Sequence, residues 1–448
     1  MRAIPALTVS MPRWRAGALR VPATAVWLAG LTLLALALRL FWVFYTDTTP
    51  LGGDPHWYYV VGANLAKGYG FVATRNELNE IIAPGKPTAY WPPGYPFALA
   101  AAFKLFGISN THAQVMNALL GACAIPFVYV LGSALFDRRA GLASAALYAT
   151  FPSAIVWTPV LFPEPLFVLL FLAALCLVVV PPKTERAWLA VAGFGLLTGM
   201  AALTRGEGLL LLPVAAVYWL ARSGWRLALR NTAIAVVLAV ATIAPWTIRN
   251  AVELRAFIPI STNSASVLRI GHSPDAQGYT DWTTDIVGGF GMEESHFRPD
   301  WEARGYREYT RRAIAYAFGH PQRELELSGL KIYHVYRSDA GMMSWLTTLD
   351  STPLKPEGLQ DALWYLLTYS YYVLLFAAIL SVPVWLRRDP RRLLLASLFL
   401  FWTAFHVVFT GDVRYHLPLL PFFAIAAFGT ASLAIDRVAV RGRANKTG

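Results

Sequence analysis

Long apolar runs separated by short basic connections set the plan of this chain. A spanning helix needs about 20 mostly apolar residues to cross about 30 Å of hydrocarbon, and about ten runs approach that length. They cover 23–45, 113–136, 140–158, 165–180, 187–203, 206–221, 233–248, 362–386, 393–410 and 417–435. Several are short and need flanking residues or a thinned bilayer to complete a crossing. The expected fold class is an all-α polytopic membrane protein, a single domain over residues 1–448, with about ten transmembrane helices. Two large loops, 46–112 and 249–361, are expected to face outward and to carry interfacial helices, the second forming a partly helical lid.

Composition narrows the class further. A chain with 56% hydrophobic and only 14% charged residues, and a mean hydropathy of +0.47, is not a soluble domain. Basic residues cluster in alternate connections: Arg2 to Arg20, Arg138 with Arg139, Lys183 with Arg186, Arg222 to Arg230, Arg387 to Arg392, and the tail from Arg437 to Lys446. With ten spans these clusters fall on one side, which the positive-inside tendency makes cytoplasmic, together with both termini. The net charge of +12 is then a consequence of topology and argues against a nucleic-acid partner. Arg205 and Arg414 break the pattern, because each sits in a short connection expected on the outer side.

The first large loop opens with Gly52-Gly53-Asp54-Pro55-His56-Trp57-Tyr58-Tyr59. Asp54 before Pro55 reads as a helix N-cap with proline at the first helical position. Trp57, Val61 and Leu65 share one face of that helix, which is expected to lie in the interface with those residues in lipid. A carboxylate crowded with His56 at a membrane surface points to chemistry at the water-lipid boundary; the competing reading is a cap and nothing more. Farther on, Tyr90-Trp91-Pro92-Pro93-Gly94-Tyr95-Pro96 precedes an apolar stretch, 97–106, too short to span and expected to be surface or embedded helix.

In the second loop, 309–336 reads as helical with a break at Gly319-His320-Pro321. Asp275, Asp281 and Asp285 lack the regular spacing of a calcium loop. His272, His296, His320 and His334 are too scattered for zinc. No metal and no cofactor is expected.

Five local patterns, in order, resemble the GT-C class of integral-membrane glycosyltransferases, in the protein-mannosyltransferase-like or aminoarabinose-transferase-like branch of glycosyltransferase family 39. They are Gly53-Asp54 with Tyr58; Pro92-Pro93-Gly94-Tyr95-Pro96 followed by Lys104-Leu105-Phe106-Gly107; Phe162-Pro163-Glu164-Pro165-Leu166; Leu203-Thr204-Arg205; and Pro245-Trp246-Thr247-Ile248-Arg249-Asn250. A sixth, Arg414-Tyr415-His416-Leu417-Pro418, lies near the C-terminus.

The resemblance implies an inverting transfer of a hexosyl or pentosyl group from a polyprenyl-phosphate-linked donor. The acceptor would be a lipid, glycan or protein of the cell envelope, met on the outer face of a bacterial inner membrane. Asp54 takes the place of the catalytic carboxylate and Glu164 that of a second acidic group. Pro163 stands where the family usually has serine before the second acid. Gly206 replaces the more usual proline after the arginine, so a local pair between Arg205 and Glu207 is possible. Arg205, Arg249 and Arg414, with His416, are the candidates for donor phosphate, because guanidinium forks match phosphate oxygens; Tyr58 and Tyr95 are pocket candidates. A lipid-linked saccharide flippase or transporter is the alternative, and would place charged residues or broken helices near mid-membrane.

Overall fold

The structure, a computed structural model, describes residues 23–48, 53–75, 81–180, 187–281, 301–348, 352–385 and 389–447. The basic residues at 2–20, 183–186 and 387–388, together with Asp285 and His296, lie outside that set.

The chain is almost wholly helical. The first long helix, α1 (Ala23–Thr46), is followed by α2 (Gly53–Ala66), a small antiparallel hairpin of β1 (Val72–Arg75) and β2 (Ile81–Pro87), and α3 (Gly94–Phe106). The bundle continues with α4 (Asn110–Leu135), α5 (Arg138–Thr150), α6 (Pro152–Val156), α7 (Glu164–Val179), α8 (Ala187–Thr204), α9 (Leu211–Ser223) and α10 (Trp225–Glu253). The second large loop holds α11 (Asn263–Gly271), α12 (Trp301–Gly319), α13 (Pro321–Tyr336) and α14 (Met343–Thr348). The last helices are α15 (Glu357–Leu380), α16 (Val382–Trp385), α17 (Pro390–Val408) and α18 (Leu420–Thr447). The helix expected over 309–336 is present as α12 and α13, parted at His320 before Pro321, where proline removes a backbone donor.

Seven helical runs among the described residues are long and apolar enough to cross a membrane. The chain is a multi-pass membrane protein, and seven of the ten expected spans reach full length among the described residues. The three remaining candidate stretches do form helices, of 13 (α5), 16 (α7) and 13 (α9) residues. Prolines shorten two of them: the helix breaks at Phe151-Pro152 after α5, and α7 cannot begin before Pro163. Before α9 the chain tightens into a 3-10 turn, Gly206–Leu210.

Apolar side chains exposed along α1, such as Trp27, Leu33, Phe41 and Phe44, and along α15, such as Tyr365, Tyr369, Val373 and Phe376, form the surface that lipid would cover. Inside, one core gathers Phe167, Phe171, Trp402 and Phe422 between α7, α17 and α18. Arg39 is buried in α1 and donates to Ala149 O at the end of α5, where unpaired helix carbonyls favour a cation.

A second core, built around α2 and α3, contains Trp57, Tyr58, Val61, Tyr95, Leu99 and Phe103. This corrects the expected lipid-facing orientation of α2. Trp57 and Val61 are buried against protein, and Gly62 lets α3 approach so closely that a Cβ there would meet Leu99 Cβ at 2.8 Å. The four-residue spacing marked an apolar face correctly but carried no information on what covers it.

Candidate active site

Five side chains from distant parts of the sequence form one alternating chain of charge: Asp54, Arg414, Glu164, Arg205 and Glu207. Arg414 Nη1 donates to Asp54 Oδ2 at 2.9 Å, and its Nε lies 3.5 Å from Glu164 Oε1. Arg205 Nη1 donates to the same Glu164 oxygen, and its Nη2 donates to Glu207 Oε1 at 2.6 Å. All five are buried. Removing charges from water is costly, and mutual pairing is what allows three carboxylates and two guanidiniums to remain together.

Local sequence explains each placement. Gly53 adopts φ +65, which glycine tolerates, and a Cβ there would press on the Trp345 ring at 3.1 Å; this turn sets Asp54 into the first turn of α2. The carboxylate expected to cap that helix is instead engaged with Arg414. Pro163 and Pro165 fix the start of α7 at Glu164. Arg205 follows the last residue of α8 in extended geometry, and Asp412 caps the 3-10 turn Val413–Leu419 through the Arg414 amide. Gly94 completes the arrangement: a Cβ there would stand 2.5 Å from Thr204 Oγ1, so only glycine brings the Trp91 segment this close to Arg205.

Aromatic rings flank the guanidiniums. Arg414 lies 4.5 Å from the Phe162 ring centre and 5.9 Å from that of Trp91, and Arg205 lies 5.5 Å from that of Tyr415. Burial pushes the Asp54 carboxyl above the ordinary aspartate range, and the Arg414 charge only partly counters this. Burial also pushes Glu207 up, but the Arg205 charge and hydrogen bond more than offset it, leaving Glu207 below the ordinary glutamate value.

A cavity of about 250 Å³ adjoins the cluster, with Tyr58, Trp91, Arg205, Glu207, Arg414 and Tyr415 in its wall. Asp54 reaches it through Arg414. The Nε atoms of both arginines have no hydrogen-bond partner among the described residues. Glu302 of α12 braces one side: its Oε1 accepts from Ala89 N at 2.7 Å and Thr262 Oγ1 at 2.8 Å, beside Trp91 and Asn263.

The expected residues divide cleanly. Asp54, Glu164, Arg205 and Arg414 come together, the foreseen pairing of Arg205 with Glu207 forms, and Tyr58 lines the cavity. Tyr95 packs edge-on to Tyr58 and donates to Asn117 Oδ1 at 2.9 Å, outside the cavity wall.

Arg249 stands apart from the cluster. It donates to Phe71 O and Thr88 O at the two ends of the hairpin and stacks on Trp246 at 4.9 Å. His416 is fully buried, hydrogen-bonded to Val335 O and Asp339 and stacked on Tyr371. No group of three or more His, Cys, Asp or Glu side chains among the described residues is arranged to hold a metal. Sequence reasoning missed the cavity-wall residues Trp91, Asn263 and His406, and the ring of Phe162. Of these, Phe162 opened a quoted motif and Trp91 stood in the quoted aromatic and proline run, without an individual role assigned to either.

The helical bundle that surrounds this buried acid-arginine chain is similar in fold to membrane glycosyltransferases of known structure. Residues 91–248 match the family model of the dolichyl-phosphate-mannose-protein mannosyltransferases. The oligosaccharyltransferase AglB from Archaeoglobus fulgidus, solved with an inhibitory peptide and a dolichol-phosphate, shares the fold at 16% identity and TM-score 0.53, over 95% of this chain and 52% of that one. The apo form of the same organism's oligosaccharyltransferase aligns at 15% identity and TM-score 0.55, over 96% and 52%. The chain thus spans about half the length of those proteins. ArnT from Cupriavidus metallidurans, bound to undecaprenyl phosphate, aligns at 17% identity and TM-score 0.47, over 91% and 77%. No curated protein matches the chain in sequence.

Proposed function

We propose that this protein is an inverting glycosyltransferase that moves a hexosyl or pentosyl group from a polyprenyl-phosphate donor to an acceptor of the cell envelope. The observation that carries the reading is the Asp54–Arg414–Glu164–Arg205–Glu207 chain beside a cavity, since it couples a carboxylate just behind the cavity wall to two cations that line it. That AglB was solved with a dolichol-phosphate supports a lipid-linked donor for the shared fold. With ten spans, the positive-inside pattern supports cytoplasmic termini and a site on the outer face, which in the bacterial inner membrane of this reading is the periplasmic side.

In this mechanism the acceptor hydroxyl or amine attacks the anomeric carbon from the face opposite the phosphate, and Asp54 takes its proton. The bond from that carbon to the phosphate oxygen breaks, and its electron pair stays on the departing polyprenyl phosphate. Arg205 and Arg414 stabilise the phosphate, each with an Nε–H that makes no hydrogen bond among the described residues. Glu164 holds both guanidiniums in register. A raised pKa makes Asp54 a stronger base than an ordinary aspartate once it is ionised.

The test is transfer of labelled sugar from polyprenyl-phosphate donors to envelope fractions by the purified chain in lipid, wild type against Asp54→Asn. Transfer that collapses in the variant while donor binding persists supports the reading. No transfer from any donor, with movement of the lipid across the bilayer instead, would favour the flippase.

A further inference from the structure

Three cavity-wall residues that the mechanism does not use carry polar atoms left unpaired. They are His406 of α17, Asn263 of α11 and Trp91 before α3. Both ring nitrogens of His406, Asn263 Oδ1 and Trp91 Nε1 are buried and have no hydrogen-bond partner among the described residues. His406 is 2% exposed, and its ring is fixed by stacking on Tyr415 at 4.6 Å and 15°. Buried polar groups are ordinarily paired, and several lapses around one cavity mark a place where the partner arrives from outside the chain.

We propose that His406, Asn263 and Trp91 are specificity contacts that read the hydroxyl groups of a single sugar ring on the donor. This rests on the transferase reading above and deepens it. A polyprenyl tail has no group to pair with these atoms, and leaving them unpaired on binding is unfavourable. A phosphate offers acceptors alone and would leave Asn263 Oδ1 unmatched. A hydroxyl both donates and accepts, as does a neutral imidazole with its one N–H and one bare nitrogen.

Position supports the same assignment. Tyr415 carries His406 stacked on its ring and the Arg205 guanidinium 5.5 Å from the ring centre. A phosphate held by Arg205 therefore places its attached sugar within reach of the imidazole. The volume of about 250 Å³ falls just below the usual range for small-molecule sites, roughly 300–1,000 Å³, and fits one ring better than an oligosaccharide.

The experiment compares binding of two kinds of probe to the full chain in lipid nanodiscs: sugar-free polyprenyl phosphate, and polyprenyl phosphate bearing one glucose, mannose, galactose or arabinose. Wild type is expected to prefer one sugar-bearing lipid over the sugar-free one by about tenfold or more, about two neutral hydrogen bonds' worth. His406→Phe keeps a ring to stack on Tyr415 but removes both nitrogens, and is expected to reduce that preference about fivefold with sugar-free affinity unchanged. His406→Gln, which can donate and accept, is expected to recover part of it. A His406→Phe protein that keeps the full preference, or that loses affinity for both lipids equally, would overturn the proposal. Wild type that binds both lipids equally would overturn it while leaving the transferase reading in place. Wild type that binds neither would bring down both.

Discussion

Arg414 and His416 stand two residues apart in one 3-10 turn and serve two buried clusters of opposite character. His416 belongs to a closed one: its ring nitrogens meet Val335 O and Asp339 Oδ1, Asp339 Oδ2 accepts from Ser153, and Tyr371 covers the ring at 4.2 Å. Arg414 belongs to an open one, where its own Nε, Arg205 Nε and Glu164 Oε2 remain without hydrogen bonds among the described residues, next to a cavity. A satisfied network has nothing left to offer a ligand and acts as a clasp between α6, α13, α15 and the turn. An unsatisfied one keeps hydrogen-bonding capacity for a substrate. The same residue types therefore separate into structure and chemistry according to whether their hydrogen bonds are complete.

The sharpest way to break this contrast is to neutralise the base. Asp54→Asn keeps the shape and can still accept from Arg414, yet loses the proton acceptor, so transfer is expected to fall by about 10²–10⁴-fold with little change in thermal stability. Wild-type transfer should also fail on acidification at a pH above the ordinary aspartate range, because Asp54 works only when ionised and burial raises its pKa. A rate profile flat down to pH 4, or a variant as active as wild type, would reduce Asp54 to a structural acid. Next in size is Arg205→Met, which strands Glu207, leaves Glu164 only its longer contact to Arg414 and removes a phosphate ligand. Turnover should drop by about 10²-fold or more. Arg205→Lys should recover little, because one ammonium cannot reproduce the forked contacts.

The closed cluster should respond in the opposite currency. His416→Phe preserves the stack on Tyr371 and strands Asp339 and Val335 O, so it is expected to destabilise the fold by about 3 kcal/mol. Turnover per folded molecule should stay close to wild type. Thermal unfolding in lipid and single-turnover transfer on the surviving fraction separate the two effects; a His416→Phe protein that is stable and inactive would place His416 with the chemistry after all.

The helical bundle was legible because apolar runs of spanning length have few other solutions, and the break before Pro321 was legible because proline removes a backbone donor. Four members of the charge cluster were legible for a different reason. An Arg or Glu at the end of an apolar run is expensive unless paired, so its presence signals a partner. The partner's identity was not written locally: Asp54 and Arg414 are joined by a contact between residues 360 apart in sequence. Arg249 and His416 carry the same kind of sequence signal as Arg205 and Arg414, yet the fold spends them on backbone carbonyls and an internal aspartate. His406 and Asn263 were invisible, the one inside an apolar helix and the other in a polar loop, because only the cavity makes their unpaired atoms meaningful.

The smallest predicted effect tests Glu302, which stands between the two clusters in character. Its Oε1 is satisfied by Ala89 N and Thr262 Oγ1, as in a closed network, but it braces the cavity segments that carry Trp91 and Asn263. Burial raises its pKa above the ordinary glutamate value of 4.5, and its hydrogen bonds only partly counter this. The folded state therefore holds that proton more tightly than the unfolded chain. Stability is expected to fall as pH rises from 4.5 to the raised value, by about 1.4 kcal/mol for each pH unit that separates the two. Glu302→Gln keeps the accepting oxygen and removes the charge, so the variant should match wild type near pH 4 and exceed it at pH 7 in thermal unfolding. Its donor affinity should change less than twofold if only the bracing oxygen matters. A variant that is less stable than wild type at pH 7 would show that the charge itself holds the cavity wall, and would move Glu302 into the open cluster.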